Sequence, residues 1–360
     1  MRNVALFFAV GLAVGLARMA GAQTWEPLPG PAETRFVAVN PADARLLYAG
    51  AAAGLFSSAD GGSSWTLRTS GLPDAAGGRC QAQAAAFDPD RPKSVRVGVG
   101  SRLDSTRGCG AFRSRGKGKR WKSLGLDAEG VSALAVAPGP GDVTWAGTTG
   151  DGSDVTGAVL KRTGKGAWQV MLDGDDVDLD VTALAVDPRD PDVVYAATNN
   201  EGVTKTTDGG ATWTWINQGL PGFDFTGASS PTGAFIFTIP LVLAADDPDT
   251  VHVGTLGYGS CCPDQVGVGG DVFTSRDGGA TWTGSTSGLA GVNVLALASD
   301  PARPGTLYAG TTDGVFRSTD RGATWTAFGL QGGPLVLSVA VAGDGSALYA
   351  AAGAVQRREL

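Results

Sequence analysis

The clearest candidate for a chemical site in this sequence is a run of alternating carboxylates. Asp176, Asp178 and Asp180 are each separated by one residue. Alternate side chains of an extended backbone point to the same side, so these three carboxylates would converge. Several carboxylate oxygens together are the ligands that Ca²⁺ prefers. The spacing therefore predicts a calcium site, with a solvated acidic loop as the alternative, because the glycine and closing glutamate of an EF-hand loop are absent.

Charged and aromatic residues in other irregular stretches form a second set of candidates. Paired carboxylates act as acid and base in glycosidases when they lie about 5 to 9.5 Å apart. Aromatic rings can form a platform for a ligand, although this aromatic run could also extend a strand or pack within a loop. The candidate ligand-binding residues are Arg102, Arg107, Asp151, Asp154, Phe223, Phe225 and Tyr258.

Histidine and cysteine narrow the possible chemistry. His252 is the sole histidine, and it occupies a position that tyrosine fills in similar segments, which indicates a structural role and argues against a Ser-His-Asp hydrolase. The four cysteines permit three pairing patterns. Pairing Cys80 with Cys109 would join two long loops and leave Cys261 and Cys262 as a vicinal pair or as free thiols. The cysteine spacing contains no CxxC pair, which argues against a zinc site.

Four nearly identical turns indicate the elements that position these residues. Each follows the pattern Ser/Thr-x-Asp-x-Gly-x-Ser/Thr-Trp, known as an Asp box. The aspartate accepts backbone hydrogen bonds, the glycine supplies a positive φ, and the tryptophan begins the returning strand. The box residues are Ser58, Asp60, Gly62 and Trp65, then Thr206, Asp208, Gly210 and Trp213, then Ser275, Asp277, Gly279 and Trp282, and finally Ser318, Asp320, Gly322 and Trp325.

The boxes belong to a longer unit that recurs seven times along the chain. Each unit contains three short β-strand patterns, and a fourth begins at a tryptophan in six of the seven units. Trp25 supplies the missing fourth strand from the N-terminal end. The repeat predicts an all-β fold, a seven-bladed β-propeller of four-stranded blades, with the strand at Trp25 completing the C-terminal blade. The boxes of blades 2 and 3 are degenerate, with Gly116 in place of the aspartate in blade 2.

The order of strands in such a blade predicts two different faces. The loops from second to third strand and from one blade to the next share one face, and the Asp boxes lie on the other. Long insertions in blades 2 to 5 fall on the face opposite the boxes. Binding residues usually reside on long loops of a rigid scaffold, so this face is the expected functional surface.

Composition limits the partners and the compartment. The chain has 28 Lys and Arg against 35 Asp and Glu, a net charge of −7, which argues against nucleic-acid binding. Its basic stretch, Arg113 to Lys122, is expected to be a solvated hairpin. Residues 1–22 contain Arg2, a short apolar run and Ala20-Gly21-Ala22, which predict a bacterial secretory signal peptide. Residues 23–360 then form a single secreted or periplasmic propeller with no membrane span after cleavage.

The four boxes, together with segments such as LYAGT and GVFRSTDRGATW, resemble the BNR/Asp-box superfamily. That superfamily includes sialidases, xyloglucan-degrading glycosidases, sortilin-type receptors and the photosystem II assembly factor family. The resemblance implies the propeller but transfers no activity, because the box is a scaffold motif. Sialidases clamp a carboxylate with three arginines spread around the ring. Here Arg79, Arg102 and Arg107 all belong to blade 2, and Tyr258 has no evident glutamate partner.

Three functions remain open from the sequence. The first is an exported, non-catalytic scaffold that binds a protein or a glycan through the loops of blades 2 to 5. The second is a glycoside hydrolase or polysaccharide lyase with paired carboxylates near the channel mouth. The third is a structural surface or matrix protein. No cofactor is expected other than calcium, and the sequence does not specify an oligomeric state.

Overall fold

The computed structural model describes residues 24–73, 80–101, 109–127, 129–150, 157–173, 179–199, 201–220, 238–256, 270–285, 287–289 and 291–360. Within these ranges the chain forms 28 β-strands and no helix. The strands make seven four-stranded antiparallel sheets, which are the blades of a β-propeller. The predicted fold class is confirmed.

The bounds of the strands are given blade by blade, from the innermost strand outward. Blade 1 consists of β2 (Thr34–Asn40), β3 (Asp43–Ala51), β4 (Gly54–Ser58) and β5 (Thr66–Leu67). Blade 2 consists of β6 (Cys80–Phe87), β7 (Val95–Ser101), β8 (Ala111–Ser114) and β9 (Lys122–Gly125). Blade 3 consists of β10 (Gly130–Val136), β11 (Val143–Thr149), β12 (Ala158–Thr163) and β13 (Gln169–Asp173). Blade 4 consists of β14 (Asp180–Val186), β15 (Val194–Asn199), β16 (Gly202–Thr206) and β17 (Thr214–Trp215).

The remaining three blades complete the ring. Blade 5 consists of β18 (Thr238–Leu243), β19 (Val251–Thr255), β20 (Val272–Ser275) and β21 (Thr283–Ser285). Blade 6 consists of β22 (Val294–Ser299), β23 (Leu307–Thr311), β24 (Gly314–Ser318) and β25 (Thr326–Gly329). Blade 7 consists of β26 (Ser338–Val341), β27 (Ala347–Ala352), β28 (Ala354–Glu359) and β1 (Glu26–Pro27).

The N-terminal strand closes the ring as predicted. In blade 7, Glu26 of β1 pairs with Arg357 of β28. The indole N–H of Trp25 donates to the carbonyl of Phe328 in blade 6, at 2.9 Å. Trp121 makes the same kind of bond to the carbonyl of Arg68, directly after β5, and Trp168 to the carbonyl of Leu124 in β9. Trp25 therefore takes the position that the other blades give to the tryptophan of the box.

The core lies between blades rather than inside any one of them. The second strands are buried on both faces: every residue of β19, β23 and β27 is buried. The described part of β5 and of β17 is exposed, because these are outer edge strands. Small alanines in the inner strands allow the blades to converge at the centre. Apolar side chains of adjacent blades interdigitate, as where Tyr48 of blade 1 packs against Phe87 and Trp121 of blade 2.

Each intact Asp box closes its turn with the same set of hydrogen bonds. In blade 4, Asp208 accepts from the backbone N–H of Thr212 at 2.9 Å and from its hydroxyl at 2.6 Å. The hydroxyl of Thr206 accepts from the backbone N–H of Gly210, which has a φ of 97°. Hydrogen bonds from Thr212 and Thr206 lower the pKa of Asp208 to about 2. The carboxylate therefore stays ionised as a fixed acceptor for the turn.

One large side chain of each second strand reaches toward the next blade, and we call these the latch residues. In blade 4, Tyr195 donates its hydroxyl to the carbonyl of Gly278 in the box of blade 5, at 3.2 Å. Lys205 donates to the same carbonyl at 2.9 Å and lies 4.8 Å from the Tyr195 ring. The equivalent carbonyls in the boxes of blades 1 and 4 accept from Tyr349 and Lys161 of the preceding blades. The latch residues are Tyr48, Arg96, Trp145, Tyr195, His252, Tyr308 and Tyr349.

Blade 2 replaces the aromatic latch with a buried arginine. Arg96 is fully buried and forms ion pairs with Asp88 of its own blade and with Asp142 of blade 3. Asp142 also forms ion pairs with Arg113 at 2.7 Å and with Arg91 at 2.9 Å. Burial acts to raise the pKa of Asp142, but the neighbouring arginines outweigh it and the pKa is lowered. The expectation of a solvated hairpin is therefore wrong at Arg113, whose side chain is only 15% exposed.

Candidate functional site

Most of the predicted ligand-binding, calcium-binding and cysteine residues fall outside the described part of the chain. The candidates without a described position are Arg102, Arg107, Asp151, Asp154, Asp176, Asp178, Phe223, Phe225, Tyr258, Cys261 and Cys262. Their roles in ligand binding, calcium binding or disulfide formation stay predictions. Their expected location on the face opposite the Asp boxes also stays a prediction.

Asp180 is the described member of the acidic run. It begins β14, and its carboxylate accepts the backbone N–H of Gly150 at 2.8 Å, which links blade 4 to the end of β11 in blade 3. The described residues contain no group of three or more His, Cys, Asp and Glu side chains that could hold a metal ion. The calcium site requires Asp176 and Asp178, so it is neither supported nor contradicted.

The disulfide between Cys80 and Cys109 is confirmed, with their Cα atoms 5.9 Å apart. It joins the first residue of β6 to the segment just before β8, on the face opposite the boxes. The two cysteines are separated by 29 residues. On the loop-entropy model, a closed loop of this size stabilises the fold by roughly 3 to 4 kcal/mol. Both long loops of blade 2 are thereby anchored at their bases.

A β-bulge recurs at the same position in the inner strands. An extra residue in one strand turns its side chain away from the regular alternation, and such bulges are common at rims and binding sites. These residues are only half-buried, while the residues next to them are mostly buried. The bulged residues in the described inner strands include Arg35, Gln83, Ser132, Thr182 and Leu295.

Two of the bulged residues connect strands through their hydroxyl groups. Ser132 of blade 3 donates to the carbonyl of Val181 in blade 4 at 2.6 Å. Thr182 donates to the carbonyl of Ala197 at 3.1 Å. Arg35 and Gln83 instead line an opening of about 550 Å³ at the end of blades 7, 1 and 2 that is opposite the boxes. We call this opening the rim pocket.

Two exposed leucines form the apolar side of the rim pocket. Leu335 is 50% exposed and Leu337 is 42% exposed, whereas Val336 between them is fully buried. The backbone here is extended: Val336 donates to the carbonyl of Thr311 in blade 6 at 3.0 Å. Because side chains alternate along an extended chain, burying Val336 between blades 6 and 7 directs both leucines outward.

The polar side of the rim pocket is formed by blades 1 and 2. Glu33 and Arg35 flank the buried Thr34 at the start of β2, and Gln83 lies in β6. Thr34 donates its backbone N–H to the carbonyl of Gly353 in blade 7 at 3.2 Å, which fixes the two sides of the pocket against each other. The result is a rigid concave surface with an apolar half and a charged half.

Two carboxyls on the same face of the propeller have raised pKa values. Glu201 lies in the turn between β15 and β16, and Asp271 precedes β20, where it pairs with Thr255 through the backbone. Burial raises the pKa of Glu201 and of Asp271. A raised pKa is a property of the carboxyl groups that act as general acids.

The rim pocket was not predicted from the sequence. Most of its lining belongs to blades 7 and 1, which have short connections, whereas the predicted functional surface lay in the long insertions of blades 2 to 5. The segment QGGPLVLS did contain a signal, because a leucine stands on each side of Val336 just after a proline. That alternation predicts two apolar side chains on the side opposite the buried one. The sequence does not show that these two leucines are exposed to solvent.

No protein-family model matches this chain, and no curated protein matches it. Several solved structures share its fold. One is the GH74 xyloglucanase from Xanthomonas campestris, with a TM-score of 0.67 and 18% identity, covering 94% of this chain and 54% of that one. Another is the extracellular domain of a putative hybrid two component system from B. thetaiotaomicron, with a TM-score of 0.66 and 14% identity, covering 94% of this chain and 40% of that one.

A third similar structure is YCF48 from Cyanidioschyzon merolae. Its TM-score is 0.62 at 15% identity, and the match covers 93% of this chain and 99% of that one. A second YCF48 structure, at 15% identity and a TM-score of 0.61, is bound to a D1 peptide. The chain thus spans 54% and 40% of the first two proteins but nearly all of YCF48. These similarities show the seven-bladed fold.

No helix long and apolar enough to cross a membrane occurs in the described ranges.

Proposed function

We propose that this protein is an exported, non-catalytic β-propeller scaffold that binds a protein partner through the face opposite the Asp boxes. The rim pocket forms one part of this surface, and the long loops of blades 2 to 5 form the rest. The observation that carries the proposal is the outward exposure of Leu335 and Leu337 beside a concave opening. Adjacent exposed apolar side chains at a depression are typical of protein interaction sites.

The chemistry of the rim pocket favours a protein partner over a glycan. Its lining has leucine, proline, glutamate and arginine side chains, but no aromatic ring lines it among the described residues. Glycan sites typically use aromatic rings that stack on the sugar faces. YCF48, which has the same fold over nearly the same length, binds a D1 peptide. This supports the use of such a propeller for protein binding.

Three observations support export. Residues 1–22 have the composition of a secretory signal peptide. Disulfides such as Cys80–Cys109 persist in oxidising compartments. One protein of the same fold is an extracellular domain. Secretion or periplasmic residence follows from the proposal, and fractionation of the native host with an antibody against the protein tests it.

A pair of matched double variants tests partner binding. Leu335→Glu/Leu337→Glu places two charges at the rim pocket, while Leu67→Glu/Val170→Glu places two charges on exposed outer strands. After crosslinking in the native host, the wild type and the outer-strand variant should recover the same protein partner, and the rim variant should lose it. Equal recovery by all three, or recovery of glycans without protein, would contradict the proposal.

The second candidate function is a glycosidase, which the raised pKa values of Glu201 and Asp271 favour. A general acid with a raised pKa is one half of that machinery. The wild type would release reducing ends from a panel of plant and bacterial polysaccharides, and Glu201→Gln or Asp271→Asn would abolish the release. Lack of activity in the wild type on the whole panel would remove this candidate.

A further inference from the structure

Positive charge is concentrated in one blade of an otherwise acidic protein. Residues 80–127 contain 11 of the 28 Lys and Arg, but only 4 of the 35 Asp and Glu. The remaining sequence therefore has 17 basic and 31 acidic residues. Blade 2 and its loops carry a net charge of +7 in a chain with a net charge of −7. This segregation identifies blade 2 as a positive surface.

The described part of this surface contains a pocket of about 610 Å³ between blades 1 and 2, which we call the cationic pocket. Its lining comes from three turns: β2–β3 of blade 1, and β6–β7 and β8–β9 of blade 2. All three turns lie on the face that carries the Asp boxes. The pocket is therefore separate from the rim pocket, and occupation of one leaves the other open.

Four cations and one carboxylate line the cationic pocket. The cations are Arg91, Lys93, Arg115 and Lys117, and the carboxylate is Asp43. Lys117 and Asp43 form an ion pair at 3.3 Å across the blade interface, but both side chains are about two-fifths exposed. Solvent screens such a pair strongly. A positive excess remains at the pocket.

The nearby carboxylate Asp142 does not neutralise this excess. Asp142 already pairs with Arg96 and Arg113, as well as with Arg91 at 2.9 Å. Arg115 is 64% exposed and lies 3.9 Å from Asp142, at the outer limit of an ion pair. Lys93 is exposed, and no ion pair joins it to a carboxylate within the described ranges. Arg115 and Lys93 are therefore available to an anion.

The backbone at Lys117 supports a role for its side chain. Lys117 has a φ of 55°, in the left-handed region. Three of the four intact boxes have glycine at this position of the turn, Gly61, Gly209 and Gly278, and the fourth has Arg321 with a φ of 59°. A side chain in this conformation is strained, so glycine would be the favoured residue. Lysine here directs a charge toward the pocket and toward Asp43.

An apolar floor complements the charged rim. Leu46 and Pro92 line the pocket together with the aliphatic stems of its lysines and arginines. A volume of this size, mostly apolar with a few convergent charges, suits a small organic ligand. Arginine and lysine around such a cavity match the oxygens of a carboxylate or phosphate.

We propose that the cationic pocket binds a small organic oxyanion with two negative charges and an apolar body. The charged end pairs with Lys93, Arg115 and Lys117, and the apolar body contacts Leu46 and Pro92. A phosphate monoester and a dicarboxylate share this chemistry. Binding at the box face is independent of the partner proposed for the opposite face.

Titration calorimetry of the full chain with phenyl phosphate tests the proposal, with phenylsuccinate as the dicarboxylate arm. The test variant is Lys93→Glu/Arg115→Glu. The control is Lys119→Glu/Arg120→Glu, which makes the same charge change at exposed positions of the same turn outside the pocket. We expect saturable binding that weakens by roughly tenfold or more in the test variant and by less than about twofold in the control.

The two arms identify the head group, because the tighter of phenyl phosphate and phenylsuccinate indicates which oxyanion the pocket prefers. Inorganic phosphate should bind more weakly than phenyl phosphate, since it has no apolar body. Three results would overturn the proposal: no saturable binding of either ligand up to about 10 mM, equal weakening in the test and control variants, or equal affinity for inorganic phosphate and phenyl phosphate. Equal melting temperatures of the two variants exclude unfolding as the cause.

Discussion

Two interfaces of the ring solve the same packing problem with different chemistry. Between blades 4 and 5, neutral Tyr195 and half-buried Lys205 donate to one carbonyl of an intact Asp box. Between blades 2 and 3, the same register position holds Arg96, which is fully buried and pairs with Asp142. Blade 3 has no intact box to receive a latch. The ion pairs of Asp142 connect blades 2 and 3 instead.

This difference teaches that the Asp box closes a turn but is not required for the blade. Blades 2 and 3 fold into the same four-stranded sheets as the others without the box aspartate. What the seven blades share is a large side chain at the same register position of the second strand. Losing the partner of a tyrosine hydroxyl leaves only an unpaired neutral group, which costs little free energy. Losing the partner of a buried guanidinium leaves an unpaired charge, which costs much more. The two interfaces should therefore respond very differently to single substitutions.

The largest effect is expected for Asp142→Ala. It removes the shared carboxylate and leaves the charge of Arg96 buried beside Asp88 alone, which should lower the free energy of unfolding by about 3 to 5 kcal/mol. Urea unfolding measures the loss. The control is Asp249→Ala at the interface of blades 4 and 5, where Asp249 is 60% exposed and pairs with Arg189. Similar losses in both variants would contradict the contrast between the interfaces.

Removal of the disulfide should have the next largest effect. Cys80→Ser/Cys109→Ser releases the constraint on blade 2 and should lower the free energy of unfolding by about 3 kcal/mol. Reduction of the wild type with dithiothreitol provides the comparison, because it should give the same loss and have no effect on the double variant. A stable reduced wild type would show that the ion network alone secures blade 2.

The latch of blade 5 should make stability depend on pH. Burial lowers the pKa of His252 from its usual 6.5 to about 4. In the folded protein the ring therefore stays neutral at pH values between 6.5 and 4. Between pH 6.5 and 4 the unfolded chain takes up a proton that the folded chain does not. The free energy of unfolding should therefore fall as pH decreases through this window, by roughly 3 kcal/mol in total.

The variant His252→Tyr tests the origin of this pH dependence. It installs the residue that blades 1, 4, 6 and 7 have at the same register position, and it removes the sole histidine. The difference in unfolding free energy between variant and wild type should grow as pH decreases from 6.5 to 4 and stay constant above pH 7. A difference that does not change with pH would show that His252 does not titrate in this way.

The smallest effect is expected for the neutral latches. Tyr195→Phe removes the bond to the carbonyl of Gly278, which Lys205 still satisfies, so the cost should be about 1 kcal/mol or less. Tyr48→Phe is the matched control, because the buried hydroxyl of Tyr48 has no hydrogen-bond partner among the described residues. This substitution should leave stability unchanged or raise it. Thermal melts of both variants measure the two effects. A larger loss of stability in Tyr48→Phe than in Tyr195→Phe would contradict the prediction.

Much of the fold could be predicted because its information is local. The box residues, the tryptophans and the alternating strands are repeated within each unit, so counting them gave seven blades and the role of Trp25. The pairing of Cys80 with Cys109 was one of three patterns that the sequence left open, and the structure shows that it is the one formed. The site was predicted far less well. Arg96 and Asp142 are 46 residues apart, and no spacing rule connects them.

The sequence by itself determined the repeating unit and the turn chemistry, because each depends on residues close together along the chain. It also indicated the strand that closes the ring, because the strand patterns leave the last blade without a fourth strand. Only the tertiary structure decided which side chains of neighbouring blades meet. Closure of the ring brings Leu337 of blade 7 beside Arg35 of blade 1, and Lys117 of blade 2 beside Asp43 of blade 1. Contacts of this kind depend on how twisted sheets pack around a common axis, which is set by all the blades together.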